Sequence, residues 1–191
     1  MRAALLLLAC VTALPAAPPA ECVERGRVAI IAHRGAHDTA PENTLASLER
    51  AVALGLDFVE ADVRTTADGA LVILHNFTVD KTTGGRGEVE KLDLAEFRRL
   101  RAADGKPLPT LDEMMAAARH RINLYLDVKR AQAGPLVAAI QKHRMHLQTV
   151  VMGGDELVTA VRRLDPQVRT MTPAGPPARL EIGRASCRER V

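Results

Sequence analysis

Short β-rich apolar runs recur along the chain at residues 28–32, 58–63, 71–74, 122–128, 149–152 and 168–171, and helical patterns fill most of the gaps between them. Leu45, Leu48 and Val52 share one helical face, Leu94, Phe97 and Arg98 begin a second helix, and Leu111, Met114, Met115 and Ala118 form a third. Two more helices open at Gly134-Pro135 and Gly154-Asp155, where proline suits a first turn because its missing N–H has no intrahelical partner there. Thr110 followed by Glu113 has the spacing of a capping box. Strands alternating with helices predict a parallel α/β architecture. Six strand candidates cannot complete an eight-stranded barrel, which takes roughly 250 residues. One connection breaks the alternation: 65–69 is too short for a parallel crossover, and Asp68-Gly69 on its own signals a hairpin.

The 191 residues are 47% hydrophobic and 26% charged, enough to bury one core. Aromatic residues make up 2% and Trp is absent, which argues against base-stacking platforms, and a net charge of +3 gives no reason to expect a nucleic-acid partner. Nothing in the composition calls for a stable protein partner. Met1-Arg2, an apolar run over 3–14 and Pro/Ala residues to Ala20 have the order of a secretory signal peptide, too short to span a bilayer. Residues 1–20 are therefore expected to direct secretion or export to the periplasm. Leu7-Leu8-Ala9-Cys10 resembles a lipoprotein processing site, and membrane attachment is expected only if Cys10 is lipidated. Residues 181–191, ending Ala185-Ser186-Cys187-Arg188-Glu189-Arg190-Val191, carry no apolar periodicity and read as a non-native tail, with the natural protein continuing further. The folded domain is expected over 28–180.

Chemistry concentrates at strand ends. Glu60 and Asp62 are two apart in a strand pattern, so both carboxylates project from one face and call for a cation. If 65–69 is a tight hairpin, His75 falls opposite a position between them; if the strands are parallel, all three still lie near neighbouring strand ends. His33-Arg34-Gly35 directly follows the first apolar run, and Gly35 would let a ligand approach the backbone. Asp127 and Lys129 repeat the same-face spacing at the end of 122–128. Three carboxylates with open positions suit a hard divalent cation such as Ca²⁺ or Mg²⁺, whereas zinc would want a close His or Cys pair. Taken singly, each residue also has a plain reading as a solvated charge or a loop histidine; their coincidence at four strand ends favours a site. His37, His120, His143 and His146 lack such partners and read as surface residues.

The ordered motifs His33-Arg34-Gly35, Pro41-Glu42-Asn43-Thr44, Glu60-Ala61-Asp62, Asp68-Gly69, His75, Thr82-Thr83-Gly84-Gly85-Arg86-Gly87, Leu108-Pro109-Thr110-Leu111 and Asp127-Val128-Lys129 resemble the glycerophosphodiester phosphodiesterase family over roughly residues 28–171. The resemblance implies a TIM-type (β/α) barrel, here incomplete with about six of eight strands, lacking a regular helix between its second and third strands, which would make the hairpin reading of 65–69 wrong in topology. It implies hydrolysis of a small-molecule phosphodiester, such as glycerophosphocholine, to glycerol 3-phosphate and an alcohol. His33 and His75 would be the general acid and base, Glu60, Asp62 and Asp127 the ligands of a divalent cation, and Arg34 and Lys129 the phosphate clamp. Two histidines fit paired proton transfer, since an unperturbed imidazole titrates at about pH 6.5. Glu42 either reaches the metal site or, with Asn43 as cap, merely starts the following helix. Two positions depart from the family: Asn76 stands where Asp is usual, removing a charge that could orient His75, and Asp127 stands where Glu is usual. The sphingomyelinase D group resembles this chain in that last Asp, so a sphingolipid-type substrate is the alternative, as is an inactive member.

Overall fold

The structure, a computed structural model, describes residues 28–173. The expected signal segment 1–20 with Cys10, residue Cys22, and the end of the expected domain with the 181–191 tail lie outside the described residues. The elements run β1 (Ile31–Ala32), α1 (Leu45–Ala53), β2 (Phe58–Thr65), β3 (Leu71–Ile73), α2 (Leu94–Phe97), α3 (Leu111–Ala118), β4 (Asn123–Val128), α4 (Ala133–Lys142), β5 (Thr149–Met152), α5 (Asp155–Leu164) and β6 (Arg169–Met171). Among these residues no helix is long and apolar enough to cross a membrane.

Strands β1, β2, β4, β5 and β6 are parallel neighbours in that order, the incomplete α/β barrel expected. Alternation explains what each face buries. On β2, Val59, Ala61 and Val63 point to the helices, and on β4 Leu124 and Leu126 do the same, all at most 1% exposed. The intervening residues Glu60, Asp62, Tyr125 and Asp127 share the opposite face through the pairs Glu60↔Tyr125 and Asp62↔Asp127. The helices close the outer layer with Leu48 and Ala51 of α1, the α3 stripe Leu111, Met114, Met115 and Ala118, and Leu136, Val137 and Ile140 of α4. Leu45, expected on the buried face of α1, is 37% exposed, because Ser47 takes the inward position next to Leu48.

The hairpin reading of Asp68-Gly69 holds. β3 runs antiparallel to β2, with Val63↔Ile73, Arg64↔Val72 and Thr65↔Leu71, and Gly69 takes φ +86°, a left-handed value that favours glycine. The strand after the turn therefore folds back on β2 instead of becoming the next parallel strand, and β4 takes the place beside β2. Its alternation bolts two cores together: Ile73 enters the main cluster, while Val72 and Leu74 join Val79, Val89, Phe97, Ala102 and Leu108 in a second one. Residues 74–110 thus form an insertion with its own apolar centre. It leads into α3 through the expected capping box, in which Thr110 Oγ1 accepts from Glu113 N and the Glu113 carboxylate accepts from Thr110 N. Such a cap contributes about 1 kcal/mol.

Candidate active site

The parallel register of β2 and β4 puts Asp62 beside Asp127, and Glu60 lies one same-face step below on β2. Carboxylate oxygens of Glu60, Asp62 and Asp127 lie within 4.8 Å of one another. Asp127 joins the cluster despite being a methylene shorter than Glu, because the strand pairing brings its backbone alongside Asp62. Crowding has an electrostatic cost. Burial, then the charges of Asp62 and Asp127, push the Glu60 carboxyl up to about 7, against the backbone N–H of Arg34 that donates to its Oε2 at 2.7 Å. Tyr125 forms the floor of this face: its hydroxyl donates to Met152 Sδ at 2.9 Å, and burial and the acids raise its pKa.

Two cations border the acids. Arg34 follows β1 with φ +57°; its Nε lies 3.5 Å from Asp62 Oδ2 and its Nη1 donates to both Glu42 oxygens at 3.2 and 3.0 Å. Lys129 Nζ lies 2.5 Å from Asp127 Oδ2 and 3.2 Å from Asp62 Oδ1. Burial works against its charge, but the hydrogen bond to Asp127 and the negative charge of the two aspartates outweigh it, so its pKa is raised and it stays cationic at neutral pH. Glu42 resolves as neither expected alternative: it pairs with Arg34 outside the three-acid cluster. Arg34 and Lys129 offset only two of the carboxylates of Glu42, Glu60, Asp62 and Asp127. A proton on Glu60 relieves that excess, and so would a divalent ion. The donor set fits such an ion: three hard carboxylates converge, and the buried Asp62 Oδ1 accepts no hydrogen bond even though Lys129 stands 3.2 Å away.

The two histidines arrive differently. His33 stands at the rim, its side chain 68% exposed and Nε2 3.9 Å from Glu60 Oε2. His75 follows β3 and enters the wall of a cavity of about 560 Å³ shared with Arg34, Glu42, Asn76, Lys81 and Thr82. Its backbone carbonyl accepts two hydrogen bonds from Arg64, at 3.0 and 2.8 Å, and its ring Nδ1 lies 3.0 Å from Asn76 Oδ1. Thr82 Oγ1, buried in the same wall, has no hydrogen-bond partner among the described residues.

Several assignments differ from the sequence reading. Asn43 does not cap α1; Thr44 does, with Ser47 completing the box. Asn43, 2% exposed and at φ +57°, instead grips Asp62, its Nδ2 donating to Oδ2 at 2.8 Å and its Oδ1 accepting from the Asp62 backbone N–H at 3.2 Å. The left-handed conformation is tolerated best by Asn among non-glycine residues. No local pattern marks this role, since the partners are 19 residues apart. Arg64 was equally silent, although it continues the same-face series of Glu60 and Asp62. Gly35 makes room for the protein and not for a ligand: a Cβ there would lie 2.3 Å from Ser47 Oγ. His143 is not a partnerless surface residue. Its Nε2 lies 2.9 Å from Asp112 Oδ1, joining α4 to α3, with the ring 14% exposed. His37 and His120 are exposed as expected.

Comparison with known proteins gives a consistent result. Residues 33–166 match the model of the glycerophosphoryl diester phosphodiesterase family. The chain is 32% identical over 160 residues to the glycerophosphodiester phosphodiesterase of Bacillus subtilis, covering 73% of this chain and 55% of that protein. It is 40% identical over 115 residues to glycerophosphodiester phosphodiesterase 1 of Bos taurus, covering 55% and 35%. Among solved structures, glycerophosphodiester phosphodiesterase from Agrobacterium tumefaciens superposes with a TM-score of 0.71 at 31% identity, covering 75% of this chain and 66% of that one. An Oleispira antarctica phosphodiesterase in complex with the product sn-glycerol-3-phosphate gives 0.70 at 30% identity, covering 76% and 65%. The chain thus spans about half the length of its Bacillus relative and two thirds of these solved chains.

Proposed function

Since the chain belongs to the glycerophosphoryl diester phosphodiesterase family, we propose that it hydrolyses glycerophosphodiesters to glycerol 3-phosphate and an alcohol, with a divalent cation, Ca²⁺ or Mg²⁺, held by Glu60, Asp62 and Asp127. The observation that carries this reading is the convergence of those three carboxylates between two fixed cations. The Oleispira relative, bound to sn-glycerol-3-phosphate, supports the substrate class.

The cation, when bound, supplies Lewis-acid stabilisation of charge on the phosphoryl oxygens. Arg34 and Lys129 bind the same oxygens; Lys129 turns to them from Asp127, and Arg34 offers its guanidinium from a backbone fixed by Glu60 and Asn43. One of His33 and His75 takes a proton from the attacking water as the new P–O bond forms. The other gives its proton to the departing alcohol oxygen as the old P–O bond breaks. His33 works from the exposed rim and His75 from the cavity wall, which supports placing them at separate ends of the reaction. Export to the periplasm or the medium, read from residues 1–20, is part of the same proposal.

The test is release of glycerol 3-phosphate from glycerophosphocholine with and without chelator. Release abolished by chelator and restored by Ca²⁺ or Mg²⁺ is the expected outcome. A folded, metal-binding protein that releases none, yet cleaves a sphingolipid diester, overturns the substrate assignment.

A further inference from the structure

We propose that Asn76 is a positioning residue that locks His75 in the Nδ1–H tautomer, so that Nε2 is the nitrogen through which His75 moves protons. The inference rests on the reading of His75 as one of the two proton-transfer groups.

The ring is constrained from two sides. Arg64, on the same face of β2 as Glu60 and Asp62, donates two hydrogen bonds to the His75 carbonyl. Those bonds fix the backbone from which the ring hangs. Its side chain is 12% exposed, and its guanidinium is itself held from the insertion by Glu90 at 3.7 Å. At the ring, Asn76 Oδ1 lies 3.0 Å from Nδ1. An amide oxygen only accepts, so the contact is a hydrogen bond only when Nδ1 carries the proton. The hydrogen bond made by one imidazole nitrogen decides the role of the other, and here it leaves the Nε2 lone pair available.

The chemistry of the partner also matters. A carboxylate at this position would do two things at once: hold the tautomer and favour the imidazolium. The amide of Asn76 does the first without the second. Arg34 and Glu42 from the segment before α1 and Lys81 from the insertion line the same cavity, and Arg64 holds the His75 carbonyl.

Heteronuclear NMR of the ¹⁵N-histidine-labelled full chain tests the tautomer directly, with the His75 signals identified by their loss in His75→Gln. The expected result is an unprotonated Nε2 in the neutral ring, replaced in Asn76→Ala by a mixture dominated by Nε2–H. An Nε2–H tautomer in the parent protein overturns the proposal. In turnover, Asn76→Ala is expected to lower kcat on the order of 10- to 100-fold with KM little changed, as when an orienting partner of a histidine is removed. Asn76→Asp should restore most of the kcat lost in Asn76→Ala, since a carboxylate oxygen accepts the same Nδ1–H. An Asn76→Asp variant as slow as Asn76→Ala overturns the proposal. Should the parent protein show no turnover at all, an unprotonated Nε2 still upholds the tautomer assignment while the hydrolase reading fails.

Discussion

The two walls of the site are held by different kinds of bond. On the sheet side, Glu60, Asp62 and Asp127 stand on adjacent strands in continuous register, so a ladder of backbone hydrogen bonds sets their spacing and the main core backs it. On the insertion side, His75, Asn76 and Lys81 lie on loops around a smaller cluster of seven buried apolar residues, and side-chain bonds from Arg64 and Asn76 place the imidazole. A ladder averages over many bonds and tolerates the loss of one. Bonds from two side chains do not. The metal wall is therefore expected to be robust and the proton-transfer wall sensitive to single substitutions outside the reacting groups.

The largest effect should come from the most heavily partnered acid of the sheet wall. Asp62→Ala removes the partner of Asn43, Arg34 and Lys129 at once, and calorimetry with Ca²⁺ is expected to detect no binding, with glycerol 3-phosphate release lost too. Retained metal affinity would break the assignment of the sheet wall. Next, Phe97→Ala opens the centre of the second cluster and should cost about 3–5 kcal/mol. Hydrogen exchange is expected to rise over residues 74–110 well before the sheet, while Ca²⁺ binding survives; uniform acceleration would show that the two cores fold as one.

The third effect is a pH dependence. The folded protein holds the Glu60 proton up to about 7, above its ordinary value of 4.5, so the metal-free fold is stabilised below 4.5 and loses that contribution as pH rises through 7. Metal must displace the same proton, so Ca²⁺ affinity should climb with pH up to about 7 and then level off. Calorimetric titrations across that range check the slope, and a flat profile would mean that Glu60 is ionised throughout. The smallest effect is expected far from either wall. Arg121 pairs with Glu49 at 2.6 Å between α1 and the loop after α3, with both side chains partly exposed, and Glu49→Gln should change stability by no more than about 1 kcal/mol in denaturant unfolding.

Much of this was legible in the chain. Period-2 and period-3.6 patterns are local, so all six strands and the five main helices fall where the apolar runs put them, and Asp68-Gly69 announces its own hairpin. The same-face spacing of Glu60 with Asp62 likewise follows from strand geometry alone. The illegible parts were those in which a residue's role depends on a distant partner. Asn43 looks like a helix cap until β2 brings Asp62 to it, and Gly35 looks like a ligand approach until α1 brings Ser47.

By itself the sequence determined the alternating elements, the hairpin and the chemical inventory of acids, cations and histidines, because short-range backbone sterics and side-chain periodicity decide those. Only the tertiary structure decided which nitrogen of His75 is tied down, which oxygen of Asp62 stays open and that Glu60 keeps its proton to near neutrality. Burial and the mutual distance of charges set those properties, and neither exists until separate strands pack side by side.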